Sequence, residues 1–495
     1  MMASAGGGDG GWVAQLMPTT TNSSYQFEAT RGLKCRFLSD GSIVDQQVRR
    51  YGATYYTTMT KWDPNGDLNK HIKITDSNGN RIDTTECILW VDWNDSDTIY
   101  QHSRGAVAGE IHMEINSDLD TISWAKTASN SGSTGFTVVQ ETMRLFAWAG
   151  NTFQATGHRL DNGNKDKRFS GSSSFTVSNM GYDNLYMGNY RQGGFAFNNG
   201  NKQYIPMKLN YNIGTSSYWA RSTRIGTSSS VYQTQPPDIA TSGYTNGASA
   251  TDDYDLYVGG ARSYPGDSQN IWSYLSHHAN SDGSLVNAKI ISVSDSTGSP
   301  ATFSSRRYQS IRGLAVGSDG DVWAAHGLSH DAFTILHFSS NLSLNKALTF
   351  KRLGSGNTQN FSPFVNNYDY SSLDLSQDEA FLVCSAGNNS PNNEYRGTIT
   401  FKIPSDLSCV DATYDLPTTA AGITEWQGTG SDGPTSGTNR FQVYDSTSYF
   451  TISDAYTEQG TNSIFLSETN LTDPTSPTTT IGTDALYSAY GPQDI

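Results

Sequence analysis

The segment IRGLAVGSDGDVWAAHG, residues 311–327, carries the reading of the fold. Leu314 and Val316 alternate with small residues, Ser318-Asp319-Gly320-Asp321 follow, and Val322 and Trp323 open a second apolar run. Alternation sends successive side chains to opposite faces of a strand, and Asp-Gly between two such runs is the strongest local signal for a tight hairpin. Working outward, the same plan recurs in LKCRFLSDGSIVDQQVR (33–49), ILWVDWNDSDTIYQHSR (88–104), MRLFAWAGNTFQATGHR (143–159), FTVSNMGYDNLYMGNYR (175–191), ATDDYDLYVGGAR (250–262), SSLDLSQDEAFLVCSAG (371–387) and FQVYDSTSYFTISDA (441–455). Eight inner hairpins result.

A second hairpin follows most of them: 111–127, 206–222, 335–350, 399–414 and 464–481, with looser versions at 59–74 and 272–291, seven outer hairpins in all. Two hairpins per unit make a four-stranded antiparallel blade, which buries both faces only by stacking against neighbours around an axis. The expected fold is therefore all-β, a β-propeller of seven or eight blades, with the unit at 143–159 truncated or inserted because too few residues separate Phe153 from Leu185. The propeller spans 25–482, between an arm at 1–24 and a tail at 483–495. A closed ring leaves no bare sheet edge at its join. Trp12-Val13-Ala14 resembles the fourth-strand runs Trp124-Ala125-Lys126 and Trp219-Ala220-Arg221, so the arm either closes the ring or is a docking arm.

Composition agrees with short strands and many turns. Of 495 residues only 16% are charged, against about 25% in an average domain, and glycine numbers 48. The net charge of −15 opposes a broad phosphate-binding surface, so nucleic acid is not an expected partner. The start MMASAGGGDGGWVAQL has neither a basic n-region nor an apolar h-region, and no apolar run of membrane-spanning length occurs. Cys35, Cys87, Cys384 and Cys409 lack paired CxxC spacing and are read as buried thiols.

Long Gly/Ser/Thr/Pro-rich connections at 226–252, 354–370 and 417–440 elaborate one face, where a rigid scaffold usually carries binding. Five inner hairpins end in arginine at one offset: Arg49, Arg104, Arg159, Arg191 and Arg262. Regular strands would put them on one rim, as forks for carboxylates of a partner or sugar acid or as pairs for a neighbouring blade's Asp. Most tryptophans fall in strands and serve packing, whereas Trp426 lies in a loop and is the candidate glycan platform. No complete catalytic motif occurs. Ser318–Trp323 departs from the Asp-box of sialidase propellers because Asp319 and Gly320 are adjacent, His326, His330 and His337 lack a common face, and Asp63-Asn65-Asp67 lacks the downstream acid of a calcium loop. The expectation is no catalysis, no cofactor and no metal.

The turns SDGDVW and SDGSIV, the strand LYVGG and the closing run NSDLDTISWAK are similar to the propeller repeats of structural proteins from tailed phages of aquatic bacteria. That resemblance covers the chain from about residue 12. It implies a virion protein of the tail, baseplate or fibre apparatus, an adaptor or tip more than a complete fibre, assembled in the host cytoplasm, oligomeric within the particle and touching other virion proteins and a host-surface glycan or receptor. A carbohydrate-binding or carbohydrate-cleaving propeller and an extracellular filament or surface-layer subunit are the alternatives.

Overall fold

The computed structural model describes residues 10–18, 25–27, 34–51, 54–80, 82, 86–93, 95–104, 110–128, 133–139, 142–177, 186–187, 194–198, 204–208, 219–226, 238–241, 255–261, 272–293, 311–329, 332–353, 360–362, 373–389, 397–409, 412–417, 438–462, 464–469, 475–485 and 487–495. These residues are strands and turns, with a 3-10 turn at Thr447–Tyr449, and among them no helix is long and apolar enough to cross a membrane.

The described strands form seven antiparallel sheets. Strand β1 (Trp12–Pro18) belongs to the last of them. In the first, β2 (Tyr25–Phe27) and β3 (Lys34–Phe37) both pair with β4 (Ile43–Tyr51), followed outward by β5 (Thr54–Trp62) and β6 (Leu68–Asp76). The second holds β7 (Glu86–Asp92), β8 (Thr98–Arg104), β9 (Glu110–Ile115) and β10 (Ile122–Ala128), and the third β11 (Ser133–Val139), β12 (Thr142–Arg159) and β13 (Lys165–Val177). The fourth runs β14 (Tyr186–Met187), β15 (Gly194–Asn198), β16 (Tyr204–Lys208), β17 (Trp219–Gly226), and the fifth β18 (Asp238–Thr241), β19 (Leu256–Ala261), β20 (Ser273–His278), β21 (Leu285–Val293). The sixth is β22 (Ile311–Val316), β23 (Val322–Ser329), β24 (Ala332–Phe338) and β25 (Leu344–Leu353). In the seventh, β26 (Asn360–Ser362) and β27 (Leu373–Leu375) pair with β28 (Phe381–Asn389), then comes β29 (Gly397–Pro404), and β1 takes the fourth place. Trp12 stands opposite Lys402, Val13 opposite Phe401 and Ala14 opposite Thr400.

Innermost strands touch around the ring: β27 meets β3, β3 meets β7, β11 meets β14, β14 meets β18, β18 meets β22 and β22 meets β27. Apolar clusters fill the seams between sheets. Trp12, Met59, Trp62, Val91 and Met113 share one across the seventh, first and second sheets. Phe333, Phe350 and Phe401 share another across the sixth and seventh, the ring pairs lying 4.8–5.4 Å apart. The architecture is an all-β propeller.

Beyond β29 the chain turns back on itself. Strand β30 (Ala412–Pro417) pairs with β31 (Thr438–Asp445), which lies on the free edge of β25. Then β32 (Phe450–Asp454) lies on β21, β33 (Tyr456–Asn462) on β17 and β34 (Ile464–Thr469) on β13. Thr475 accepts the Thr127 amide at the edge of β10, β35 (Thr479–Thr483) lies on β6, and β36 (Tyr487–Asp494) lies on β1. Residues 438–494 are thus a belt that visits the sheets in reverse order and gives each an extra outer strand or strand contact. Twist explains the path. At roughly 20–25° per strand, the fourth strand of a blade has turned by about 60–75° from the first, so its neighbour runs around the circumference. Ala455 alone separates β32 from β33. Each seam between neighbouring sheets is crossed twice, once in chain order up to β29 and once on the return from β29 through β30 and the belt.

The path of the chain beyond β29 corrects four sequence expectations. The outer hairpin expected at 399–414 is divided between β29 in the seventh sheet and β30 in the sixth. The hairpin expected at 441–455 does not exist: its halves are β31 and β32, on different sheets, and the one expected at 464–481 is likewise divided between β34 and β35. Residues 483–495 are not a tail, because Thr483 ends β35 and β36 follows; Trp12–Pro18 form a strand of the ring, the first of the two roles open to the N-terminal segment. The hairpin expected at 143–159 is the single strand β12, which runs through Gly150 without a turn while its pairing with β13 shifts register between Gly150 and Thr152. The expected hairpin at 175–191 is divided as well, Val177 ending β13 in the third sheet and Tyr186 opening β14 in the fourth.

Candidate functional site

The turns that join first to second strands, those that follow the third strands and the β12–β13 turn lie on one rim of the ring, and they are a repeated concentration of polar chemistry among the described residues. Six described turns, those that follow the third strands β5, β9, β20, β24 and β29 and the one that joins β12 to β13, each have one residue at positive φ. That residue is glycine at Gly66, Gly163 and Gly283, with φ of 91°, 68° and 71°, and leucine at Leu119, Leu342 and Leu407, with φ of 53°, 62° and 55°. The choice follows the neighbouring sheet. Where the preceding sheet offers a fourth-strand tryptophan, the indole lies over the glycine: Trp12 on Gly66, Trp124 on Gly163 and Trp219 on Gly283. At the other three turns the leucine itself is fully buried and closes the seam. A left-handed leucine costs about 1–2 kcal/mol, which burial of its side chain, worth about 2 kcal/mol, offsets.

Polar atoms repeat the same clasp. The indole N–H groups donate to turn carbonyls of the next sheet: Trp12 to Pro64 at 2.9 Å, Trp124 to Leu160 at 2.7 Å, Trp219 to Asn280 at 2.8 Å and Trp323 to Ser405 at 2.7 Å. Lys61 Nζ reaches Asp118 at 3.2 Å, Lys402 Nζ reaches the Pro64 carbonyl at 3.1 Å, and Asn287 Nδ2 donates to the Asn341 carbonyl at 2.7 Å. Burial pushes the Lys402 amine below the usual lysine range, against the attraction of Asp378 and Asp63. The Glu114 carboxyl is pushed up by burial, which outweighs the hydrogen bonds from Ser123 and Trp124.

Two sheets carry an identical carboxylate–imidazole brace. In the fifth, Asp255 accepts from the backbone N–H of Asn280 at 2.8 Å and lies 2.6 Å from His277 Nε2, while the imidazole stacks on Tyr257 at 4.5 Å. In the sixth, Asp321 accepts from Ser340 N–H at 3.1 Å and lies 2.8 Å from His337 Nε2, with the imidazole on Trp323 at 4.9 Å. Desolvation, reinforced by Asp255, Asp319 and Asp321, raises the Tyr257 hydroxyl to about 12. Each carboxylate is engaged by its own turns, so the pair ties two turns of one sheet together. Asp321→Ala is expected to lower stability by about 2 kcal/mol, as for loss of charged hydrogen bonds, read as a lower urea midpoint with an unchanged slope.

The seams also contain buried polar contacts. Asp45 accepts from Trp62 Nε1 and from Thr400 Oγ1 across the seventh-to-first seam, each at 2.8 Å, and from Gln47 Nε2. Asp374 accepts the Phe37 N–H across the same seam at 2.9 Å, and burial raises its carboxyl above the usual range. At the fifth-to-sixth seam His326 Nε2 lies 2.7 Å from Ser273 Oγ. Cys35 and Cys384 are thiols in the interior, outside any disulfide, and Cys409 is a half-buried one; burial pushes Cys384 well up and Cys409 to about 11. Cys87 lies in β7.

Arg49 and Arg104 occupy equivalent places, near the C-terminal ends of the second strands β4 and β8, and so approach the rim opposite the clasped turns. Arg159 does not join them. It ends β12, at the turn into β13, where it is exposed and paired with Asp161 at 2.7 Å. The offset that aligned it with the others assumed a hairpin where the chain has one strand. Arg191, Arg262 and Trp426 lie outside the described residues. Asp63 Oδ1 accepts the N–H groups of Asn65 and Asp67, each at 2.9 Å, so DPNGD is a hairpin turn. Among the described residues no group of three or more His, Cys, Asp or Glu is placed to hold a metal ion. Sequence reasoning missed the belt and the Trp–Gly clasp; the signal for the clasp was present in the pairing of fourth-strand tryptophans with glycine-bearing turns.

No protein-family model and no curated protein matches this chain. Solved structures that resemble it include the WD40 domain of Toxoplasma gondii coronin, at 9% identity and a TM-score of 0.43, covering 79% of this chain and 86% of that one. A chain of the mitotic checkpoint complex has 10% identity and a TM-score of 0.39, covering 78% and 93%. The tail fibre of a Staphylococcus aureus phage has 10% identity and a TM-score of 0.25, covering 77% and 93%.

Proposed function

We infer that this propeller is a structural, docking or host-recognition component of a phage virion, associated with the tail, baseplate or fibre apparatus, that binds protein or glycan without catalysis. The observation that carries the reading is the double crossing of each seam by one chain. A ring that a ligand must open, or that works by moving its blades, gains nothing from that construction; a part that holds its shape in a particle does. The resemblance of the blade repeats to tailed-phage structural proteins points the same way. The proposed partners are other virion proteins and a host-surface glycan or receptor, with no nucleic acid and no membrane insertion, and assembly takes place in the host cytoplasm.

Quantitative mass spectrometry of purified particles tests this. The expected result is the chain at a fixed ratio to the major capsid protein. Its absence from particles, combined with soluble glycan binding or cleavage on an array, would replace this reading with the carbohydrate-active one.

A further inference from the structure

We propose that the belt, residues 438–494, is a lock fastened after the ring has closed, and that β36 holds the ring-closing strand β1 in place. Layering supplies the first argument. Strand β1 lies between β29 and β36, with Leu16 opposite Thr398 on one side and Ala489 on the other. The edge that β36 covers exists only once β1 has docked. Likewise each belt strand pairs with the outermost strand of a sheet already built from chain-order neighbours.

Side-chain placement supplies the second. The ring carries its own apolar clusters, and among the belt residues whose burial is described Val443 and Phe450 are buried in them, while Tyr449, Ile452, Ala455, Ile481 and Ala489 are half-buried against them. From Thr451 to Thr461 the belt is exposed or half-exposed and holds by its backbone ladder and surface polar contacts. These include Lys289–Asp454 at 2.5 Å, Arg224–Glu458 at 3.1 Å and Arg221–Thr461 at 2.6 Å. Exposed pairs of this kind hold weakly and are screened by salt. The fully buried apolar anchors among the described residues, Val443 and Phe450, stand in the first part of the belt, and the pairing with β1 stands at its end, where the Ile495 amide donates to the Gly11 carbonyl at 2.9 Å. Release therefore starts at β36 or in the polar middle, and the ring behaves as a separate, more stable cooperative unit.

Hydrogen exchange on the full chain tests this. The expected result is that amides of β32–β35 exchange at least tenfold faster than those of β5, β20 and β24, and that in refolding pulses they become protected after them. A chain ending at residue 486 should fold and lose protection of β1 by at least tenfold, with β20 and β24 unchanged. Belt and ring amides that exchange together, with one denaturant dependence, or that gain protection in one phase, would overturn the proposal. The full-length experiments decide it even if the shortened chain fails to fold.

Discussion

Replacing Gly163 with leucine is expected to destabilise the protein by about 2–5 kcal/mol, from about 1–2 kcal/mol for a left-handed leucine and about 1–3 kcal/mol for overpacking against a rigid neighbour. A Cβ at Gly163 would run into the six-membered ring of Trp124. Gly79 separates the two contributions: its φ is 77° and nothing lies within 4 Å of the position a Cβ would take. Gly79→Leu should therefore show the backbone cost alone. Trp124→Ala by itself should cost about 3–5 kcal/mol, as for an emptied aromatic site. The pair is where the argument is exposed. Leu119 and Leu342 show that a seam lacking the tryptophan takes a buried leucine at this position, so Trp124→Ala with Gly163→Leu should recover more than half of the summed loss. Equilibrium denaturation of the four chains measures the coupling, and strict additivity would contradict the clasp.

Acid should weaken the fold well before ordinary carboxylates titrate. Complete burial lowers His278 to about 4 and His326 to about 3 from 6.5; the hydrogen bond to the Gly283 carbonyl partly opposes this at His278, while His277 and Arg221 add to the lowering. Both folded values lie below the unfolded one, so the unfolded chain binds these protons first. The stability they contribute is complete above pH 6.5 and falls as pH drops, levelling off near 4 for His278 and near 3 for His326. At about 1.4 kcal/mol per unit, the losses approach roughly 3 and 5 kcal/mol. The carboxyl groups of Asp374 and Glu114 are raised and so work in the opposite direction, which makes a comparison of chains the clean measurement. Between pH 7 and 4.5 the wild type should lose about 3 kcal/mol more than His326→Gln. Parallel curves for the two would show that His326 does not bear the acid sensitivity.

What could be read in the sequence is what depends on neighbours along the chain. The Asp-Gly turn at 319–320 and its flanking alternation specify a hairpin by local backbone preference, and repetition of that hairpin leaves sheets with two apolar faces that must stack in a ring. The likeness of Trp12-Val13-Ala14 to the other fourth strands was visible for the same reason, since one packing position repeats.

The tertiary structure decided what depends on edges. FQVYD and FTISD alternate like the arms of a hairpin, and their local pattern cannot say whether they pair with one another or with β25 and β21. They go to the outer edges because those edges, turned by the twist of each sheet, already present unpaired N–H and C=O groups in a continuous track. The same dependence sets the role of Arg159, whose rim changes with the existence of one turn, and the choice between glycine and leucine at 66, 119 and 163, which is fixed by a tryptophan far away in sequence. Local preference determined the blade; the free edges of completed sheets determined where the last part of the chain could lie.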